Sequence, residues 1–428
     1  MKRVAILLFL TLGVIAISAK ERYFRHLGVT DGLSQVNIPS IYQDELGAVW
    51  LGTSEGLNRY NGKDVRIFRP SHGSEGLTNN EINQLCGDKK GRMYIRSGED
   101  LIKLDIYTER FTCLRKENVR GLFCEGDTLW VACKDGIYYY TEGMANLVRF
   151  TQLIDGVGKA LALRVDKNTI WVITGSRLLA IARNNPSKQD ILTTFARGNC
   201  IFADSSGNIW VGAWEGLYRV SKDRSVTHFI DHSGGGDLSN NQVRCILEDN
   251  SKCLWIGTYR GLDCYDPATN EWNHYNRYGS SSNTLSHNSV LSLHKDMQGN
   301  IWVGTYYGGV NVFNPDKINN HFYYAEPLLG DCLSFPVVGK MAEDKNGNLW
   351  ICTDGGGLNC YHADTGTFTR YVERANDPNS IGSNNLKSIF YRKENDRLYV
   401  GTHLGGLFVY DLKSDKGHTL HHIPGDPS

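Results

Sequence analysis

Nine aromatic residues, Trp50, Tyr94, Trp130, Trp171, Trp210, Trp255, Trp302, Trp350 and Tyr399, recur along the chain at intervals of 36 to 49 residues, by subtraction of their positions. A period of that length constrains the fold, because each repeat must be one supersecondary unit that buries its apolar face against its neighbours. The unit is clearest around Trp302. Ile301–Thr305 and Val310–Phe313 are short β-branched and aromatic runs, and the Gly308-Gly309 pair between them lets the chain reverse, which predicts a β-hairpin. Upstream, residues 290–294 form another apolar run, joined to the hairpin by Asp296-Met297-Gln298-Gly299; Asp first and Gly fourth fit a type I turn. Residues 321–324 predict one more strand. Four short antiparallel strands per repeat make a propeller blade, which excludes helical repeats and the shorter leucine-rich type.

Residues 1–19 precede the repeats. Met1-Lys2-Arg3 is a basic start, residues 4–17 are apolar, and Ser18-Ala19 are small, so a secretory signal cleaved after Ala19 is expected, with an uncleaved anchor as the alternative. The 428 residues carry no net formal charge, which argues against a nucleic-acid binder, and no later run is long enough to span a membrane. The 41% apolar content and only 10 Pro indicate a large ordered core. Eleven cysteines show neither a CxxC pair nor metal-ligand spacing, so core thiols are expected and no metal or cofactor. Cys352 and Cys360, on the two arms of one hairpin, are the single disulfide candidate.

The first blade is expected over residues 38–68. The second diverges, with Arg96 where Gly52, Gly212, Gly257 and Gly304 stand in other repeats, and the third and fourth lack the Asp-x-x-Gly turn. From Trp210 the pattern is regular, and Ser239-Asn240-Asn241, Ser286-His287-Asn288 and Ser383-Asn384-Asn385 read as turns with Asn in left-handed conformations. A propeller has to join its last blade to its first. Residues 23–27 form a lone strand suited to complete the seventh blade, which predicts an all-β chain: a seven-bladed β-propeller of four-stranded antiparallel blades over residues 20–320. Residues 321–428 are then the first two blades of a second, incomplete propeller, from a fragment or a shortened gene; a single ring of eight or nine blades is the competing reading.

In a propeller the turns joining second to third strands share one face with the turns joining blades. The tips expected there carry Arg96, Glu99, Arg177, Trp214, Glu215, Tyr259, Arg260, Tyr306 and Tyr307 as candidate ligand-binding residues. Exposed rings stack on sugar C–H faces while charged groups bond hydroxyls, so carbohydrate is the ligand class expected. The recurring Trp anchors are assigned to packing between blades.

Residues 296–310, Asp-x-x-Gly-Asn-Ile-Trp-Val-Gly-Thr-x-x-Gly-Gly-Val, resemble the two-component regulator propeller repeat, and Asp31-Gly32-Leu33-Ser34-Gln35 resembles its entry into a first blade. The likeness covers nearly the whole chain after the leader, and blades two to four depart from it. It implies a periplasmic sensor region made of two seven-bladed rings. An immunoglobulin-like domain, one inner-membrane span and a cytoplasmic histidine kinase follow in such proteins, often with a response regulator and a DNA-binding domain. It further implies recognition of an oligosaccharide or other small ligand, and leaves room for a homodimer formed through a C-terminal region. No kinase element, phospho-accepting His region or nucleotide-binding segment is present in these residues, so no enzyme activity is expected of them, and membrane attachment would come only from a span elsewhere. Two alternatives stand beside the sensor: a protein-interaction scaffold, and a propeller glycan hydrolase or lyase, against which Glu55, Glu99 and Glu215 occupy equivalent repeat positions with no pair singled out.

Overall fold

The computed structural model describes residues 23–70, 76–231, 237–277, 284–316, 325 and 332–422. The signal peptide and the strand expected at 321–324 lie outside them. Apart from one 3-10 turn at Val29–Asp31, the regular structure among the described residues is β. Among the described residues stand nine sheets, each of four antiparallel strands, and the chain divides into two compact units, Met1–Asn320 and His321–Ser428.

Seven sheets belong to the first unit. Six use four consecutive strands; the one around Trp302 combines Val290–Lys295, Ile301–Thr305 and Val310–Phe313 with Arg25–Leu27, whose register sets Arg25 opposite Val312 and Leu27 opposite Val310. The innermost strands are Ser40–Gln43, Ile82–Gly87, Val119–Glu125, Ala162–Val165, Gly198–Ala203, Val243–Glu248 and Val290–Lys295. Each touches the next and the last touches the first, so the sheets form a circuit without a first or last blade. The core lies between neighbouring sheets. At the junction of the seventh and first blades, Trp302, Val310 and Leu27 pack with Ile38, Ile41 and Leu51.

The tryptophans owe their repetition to a local cap. Asp249 Oδ1 accepts the N–H groups of Ser251 and Cys253 at 2.9 and 3.0 Å, and its Oδ2 accepts Trp255 Nε1 at 2.8 Å. One buried carboxylate thus closes the turn and satisfies the indole N–H, avoiding the cost of an unpaired buried donor. Asp44, Asp204, Asp296 and Asp344 do the same for Trp50, Trp210, Trp302 and Trp350 at 2.7–3.0 Å. Burial pushes the Asp344 carboxyl up, but hydrogen bonds from Trp350, Asn348 and backbone amides hold it below its ordinary value. The third and fourth blades keep the cap in a shorter turn: Glu125 accepts Trp130 Nε1 at 3.2 Å and Asp166 accepts Trp171 Nε1 at 2.7 Å, each from five residues upstream.

The Gly two residues after Trp50, Trp210, Trp255 and Trp302 is required by the approach of the next blade. A Cβ on Gly52 would lie 2.6 Å from Ile82 O, on Gly257 2.6 Å from Val290 Cγ1, and on Gly304 2.5 Å from Ile38 O. Arg96 holds this place in the second blade. There Gln84 clamps the third blade instead, donating to Leu122 O at 2.9 Å and accepting from Leu122 N at 3.0 Å.

Two expectations are corrected. The Asn residues before the innermost strands do not adopt positive φ; Asn241, Asn288 and Asn384 accept backbone N–H groups of Asp231, Arg277 and Glu373 through their side chains. Cys352 and Cys360 are free thiols that do not face each other: the register sets Cys352 opposite Leu358 and Cys360 opposite Trp350. Cys86 and Cys124 are in contact, their sulfurs 3.1 Å apart on innermost strands of the second and third blades.

The second unit contains two sheets among its described residues, built on Trp350 and Tyr399, with a core of Trp350, Leu358, Leu386, Leu398, Val400 and Phe408. On its innermost strands, Val338–Glu343 and Leu386–Arg392, the apolar side chains of Val338, Met341 and Phe390 are exposed.

Candidate functional site: the hairpin-tip face of the first unit

In blades two, three, five, six and seven the hairpin tip is tied by its backbone to the segment that leads into its own blade. Gly98 N donates to Glu81 O, Lys134 N to Asn118 O, Trp214 N to Arg197 O, Tyr259 N to Gln242 O and Tyr306 N to Ser289 O, at 2.8–3.1 Å. These bonds bring the tips and the blade-to-blade connections onto one face. Just below that face, the ladder between first and second strands skips one residue in several blades, leaving Asn83, Arg120, Asn199, Arg244 and Leu291 outside the pairing. Such a bulge re-aims a side chain from the sheet. Arg120 reaches Glu99, Asn199 Nδ2 donates to Val243 O at 2.8 Å, and Arg244 Nη1 donates to Ser289 Oγ at 2.6 Å, the last two bridging adjacent blades.

The nine sequence candidates separate into two groups. Around the second and third blades the side chains satisfy one another. Glu99 pairs with Arg120 at 2.6 Å and Lys134 at 2.9 Å, and the Lys134 hydrogen bond first, with the Arg120 charge, holds its carboxyl below the ordinary range. Arg96 is half-buried and reaches only the Gly98 carbonyl, at 3.5 Å; its Nε is buried without a partner, and burial together with nearby Arg120 brings its pKa down to about 10. Arg177, in the fourth blade, donates to Gly156 O at 2.5 Å. Glu215 folds back on the scaffold: Oε1 accepts the Ala196 N–H and the Tyr218 hydroxyl, and Oε2 is buried.

Blades five to seven present the second group. Trp214, Tyr259, Tyr306 and Tyr307 are 45%, 50%, 40% and 62% exposed, unlike the nearly buried Trp anchors beneath them. Arg197 covers the Trp214 ring at 4.7 Å and Arg244 covers Tyr259 at 5.0 Å. Tyr306 and Tyr307 meet edge to face at 4.3 Å, with His287 against Tyr307 at 5.8 Å. Arg260 is exposed beside Tyr259, its backbone N–H bonded to Thr258 Oγ1. The structure thus joins Trp214, Tyr259, Arg260, Tyr306 and Tyr307 in consecutive blades, and sets Arg96, Glu99 and Arg177 in others. Sequence reasoning missed Arg197, Arg244 and Arg120. Arg120 and Arg244 share one bulge position, which an alignment of the repeats on their Val-x-Gly or Val-x-Cys start would have exposed. Among the described residues, no group of three or more His, Cys, Asp or Glu is placed to hold a metal ion.

A circuit of four-stranded antiparallel sheets, capped by buried Asp–Trp pairs, defines a β-propeller, with its variable chemistry on the tip face. Four of its repeats, residues 32–55, 237–260, 284–307 and 332–355, match the family profile of the two component regulator propeller. Among curated proteins, the chain is 33% identical over 73 residues to "Histidine kinase P4" of Formosa agariphila, which is 16% of this chain and 5% of that protein. Among solved structures it is similar to the extracellular domain of the putative hybrid two component system BT3049 from B. thetaiotaomicron. The TM-score is 0.63 at 23% identity, over 94% of this chain and 55% of that one. The corresponding domain of BT4673 from the same organism gives a TM-score of 0.58 at 20% identity, over 91% and 59%. The chain therefore spans little more than half of these solved domains and a small part of the kinase. No helix among the described residues is long and apolar enough to cross a membrane.

Proposed function

We propose that this chain is the extracytoplasmic, ligand-recognising region of a hybrid two-component sensor, and that it recognises an oligosaccharide on the tip face of its first propeller. The observation that carries the ligand class is the row of exposed aromatics in blades five to seven. Four large rings stand at tips where the repeat demands no apolar residue, and flat rings beside guanidinium groups suit the alternating C–H and hydroxyl surface of a sugar. The repeat, the basic and apolar leader, and the likeness to extracellular domains support the sensory role and a periplasmic location. Phosphotransfer would belong to a part of the protein outside these residues. Calorimetric titration of the chain with a panel of neutral and charged oligosaccharides tests the reading: saturable heat from at least one glycan, lost on Trp214→Ala or Tyr259→Ala, supports it. Silence toward the whole panel refutes it.

A second reading, a protein-interaction scaffold, is favoured by the second unit, where Met341, Phe390 and Leu404 are 52%, 63% and 94% exposed. A stoichiometric complex on a sizing column that forms without sugar and is lost on Phe390→Ser would favour it over the sensor.

A further inference from the structure

The charges on the tip face do not balance where the rings are exposed. Three of the tip carboxylates are already engaged: Glu99 by Arg120 and Lys134, Asp135 by Arg115 and Arg149, and Glu215, through Oε1, by the Ala196 N–H and the Tyr218 hydroxyl. Arg197, Arg244 and Arg260 have no carboxylate within ion-pair distance among the described residues, unlike Arg115, Arg120 and Arg149 in the second and third blades. Arg197 lies over the face of Trp214. Arg244 has the ring of Tyr259 and a single hydrogen bond, to Ser289 Oγ. A guanidinium carries five N–H donors in a planar fork, and among the described residues Arg197 has no hydrogen-bond acceptor for its side chain and Arg244 has one.

We infer that the tip face of blades five to seven binds an anionic carbohydrate, with Arg197 and Arg244 taking carboxylate or sulfate groups of sugars that lie on Trp214, Tyr259 and Tyr306. The inference rests on the oligosaccharide reading above and narrows it to charged glycans. The arrangement has the parts such a ligand needs. Each arginine is held over a ring, at 4.7 Å for Arg197 and 5.0 Å for Arg244, and a guanidinium placed in advance loses less entropy on bidentate binding to an oxyanion. Both rings keep about half of their surface exposed, 45% for Trp214 and 50% for Tyr259. The two platforms occupy consecutive blades, bridged where Asn199 bonds Val243 O, and Arg244 is held toward the seventh blade by Ser289, whose carbonyl anchors Tyr306. Consecutive charged residues of one oligomer would therefore meet consecutive arginines. Burial depresses the pKa of Arg244, and a ligand anion would offset that desolvation. A neutral glycan would offer the two forks only hydroxyl oxygens, whose hydrogen bonds are weaker than the charge-assisted ones to an oxyanion.

The test is calorimetry of the whole chain with three probes: oligogalacturonides, the same oligomers as methyl esters, and a sulfated oligosaccharide of similar length, with malto-oligosaccharides as a neutral control. The acid should bind at least about tenfold more tightly than its ester, and the difference should shrink as salt is raised. Arg197→Gln and Arg244→Gln should each weaken the acid about tenfold and leave the ester unchanged. Arg197 is exposed and contacts only Trp214, so its variant keeps the fold even if the Arg244 variant does not. Binding of the sulfated probe with the acid failing would assign the oxyanion to sulfate and support the inference. Equal affinity for acid and ester, or preference for malto-oligosaccharides, would overturn it while leaving glycan recognition standing; no binding by any probe would overturn both.

Discussion

At the residue scale, the buried carboxylate under each tryptophan is the contact with most at stake. Asp249 is 4% exposed and accepts three hydrogen bonds, two from its turn and one from Trp255. Asp249→Ala strands the indole N–H and the turn amides in a region that water does not reach, so we expect a loss of about 2–4 kcal/mol in urea unfolding. Trp255→Phe keeps most of the apolar volume and removes the donor, and should cost less than the Asp variant. A reversed order would show that the ring's packing, not the cap, sets the repeat. The cysteines give a second expectation. Cys86 and Cys124 sulfurs are 3.1 Å apart, inside van der Waals contact, whereas Cys352 and Cys360 lie diagonally across a hairpin. Oxidised glutathione, reduced to two thiols as it accepts the two electrons, should convert the two Cys86 and Cys124 thiols to one disulfide. Peptide mapping should recover residues 86 and 124 linked; a Cys352–Cys360 link with these two remaining reduced would contradict that geometry.

At the element scale, blades are held together at glycine. A Cβ on Gly304 would meet the backbone oxygen of Ile38, which cannot rotate away, and Ser292 Oγ, while a Cβ on Gly339 in the second unit would meet nothing nearer than 3.6 Å. Gly304→Ala is therefore expected to cost about 1–3 kcal/mol from overpacking, and Gly339→Ala to cost far less, as read by thermal unfolding. Comparable losses would mean that the blades can slide apart without penalty. This scale also shows what the amino-acid sequence makes legible. The hairpins were readable because Trp, Gly and Asp recur at positions fixed by local chemistry, and the edge of the closing strand differed only by two residues, Arg25–Leu27 against the expected 23–27. The Asp–Trp cap in blades three and four was hidden because the turn there is shorter, moving Glu125 and Asp166 to five residues before the ring. Trp214 and Tyr259 were visible as aromatics the repeat does not need. Their arginine partners were not, since Arg244 owes its direction to a bulge and Arg197 to a tip that returns over it, both products of pairing register rather than composition.

At the scale of the whole molecule, closure of the ring has a titratable group at its seam. His294, on the innermost strand of the seventh blade, accepts the backbone N–H of Gln43 in the first blade through Nε2 at 3.2 Å, with Tyr42 edge-on to its ring. An imidazolium has no lone pair for that bond. Burial, then the Lys89 charge, lowers the His294 pKa to about 4, against the opposing pull of Asp296. In the unfolded chain the same ring protonates near its ordinary value of about 6.5. Between those two values the unfolded state holds more protons, so stability falls as pH drops from about 6.5 toward 4, by up to about 3 kcal/mol when complete. The Arg25–Leu27 strand and the Trp302 cluster share this seam, so the first and seventh blades should separate before the others do. Hydrogen exchange followed from about pH 7 to about pH 5 should show protection falling first at Ser40–Gln43 and Val290–Lys295. His294→Gln, which offers an amide oxygen to the Gln43 N–H and cannot be protonated, should flatten the loss across that window. Identical pH profiles for the two proteins would show that the seam closes without reference to the charge on His294.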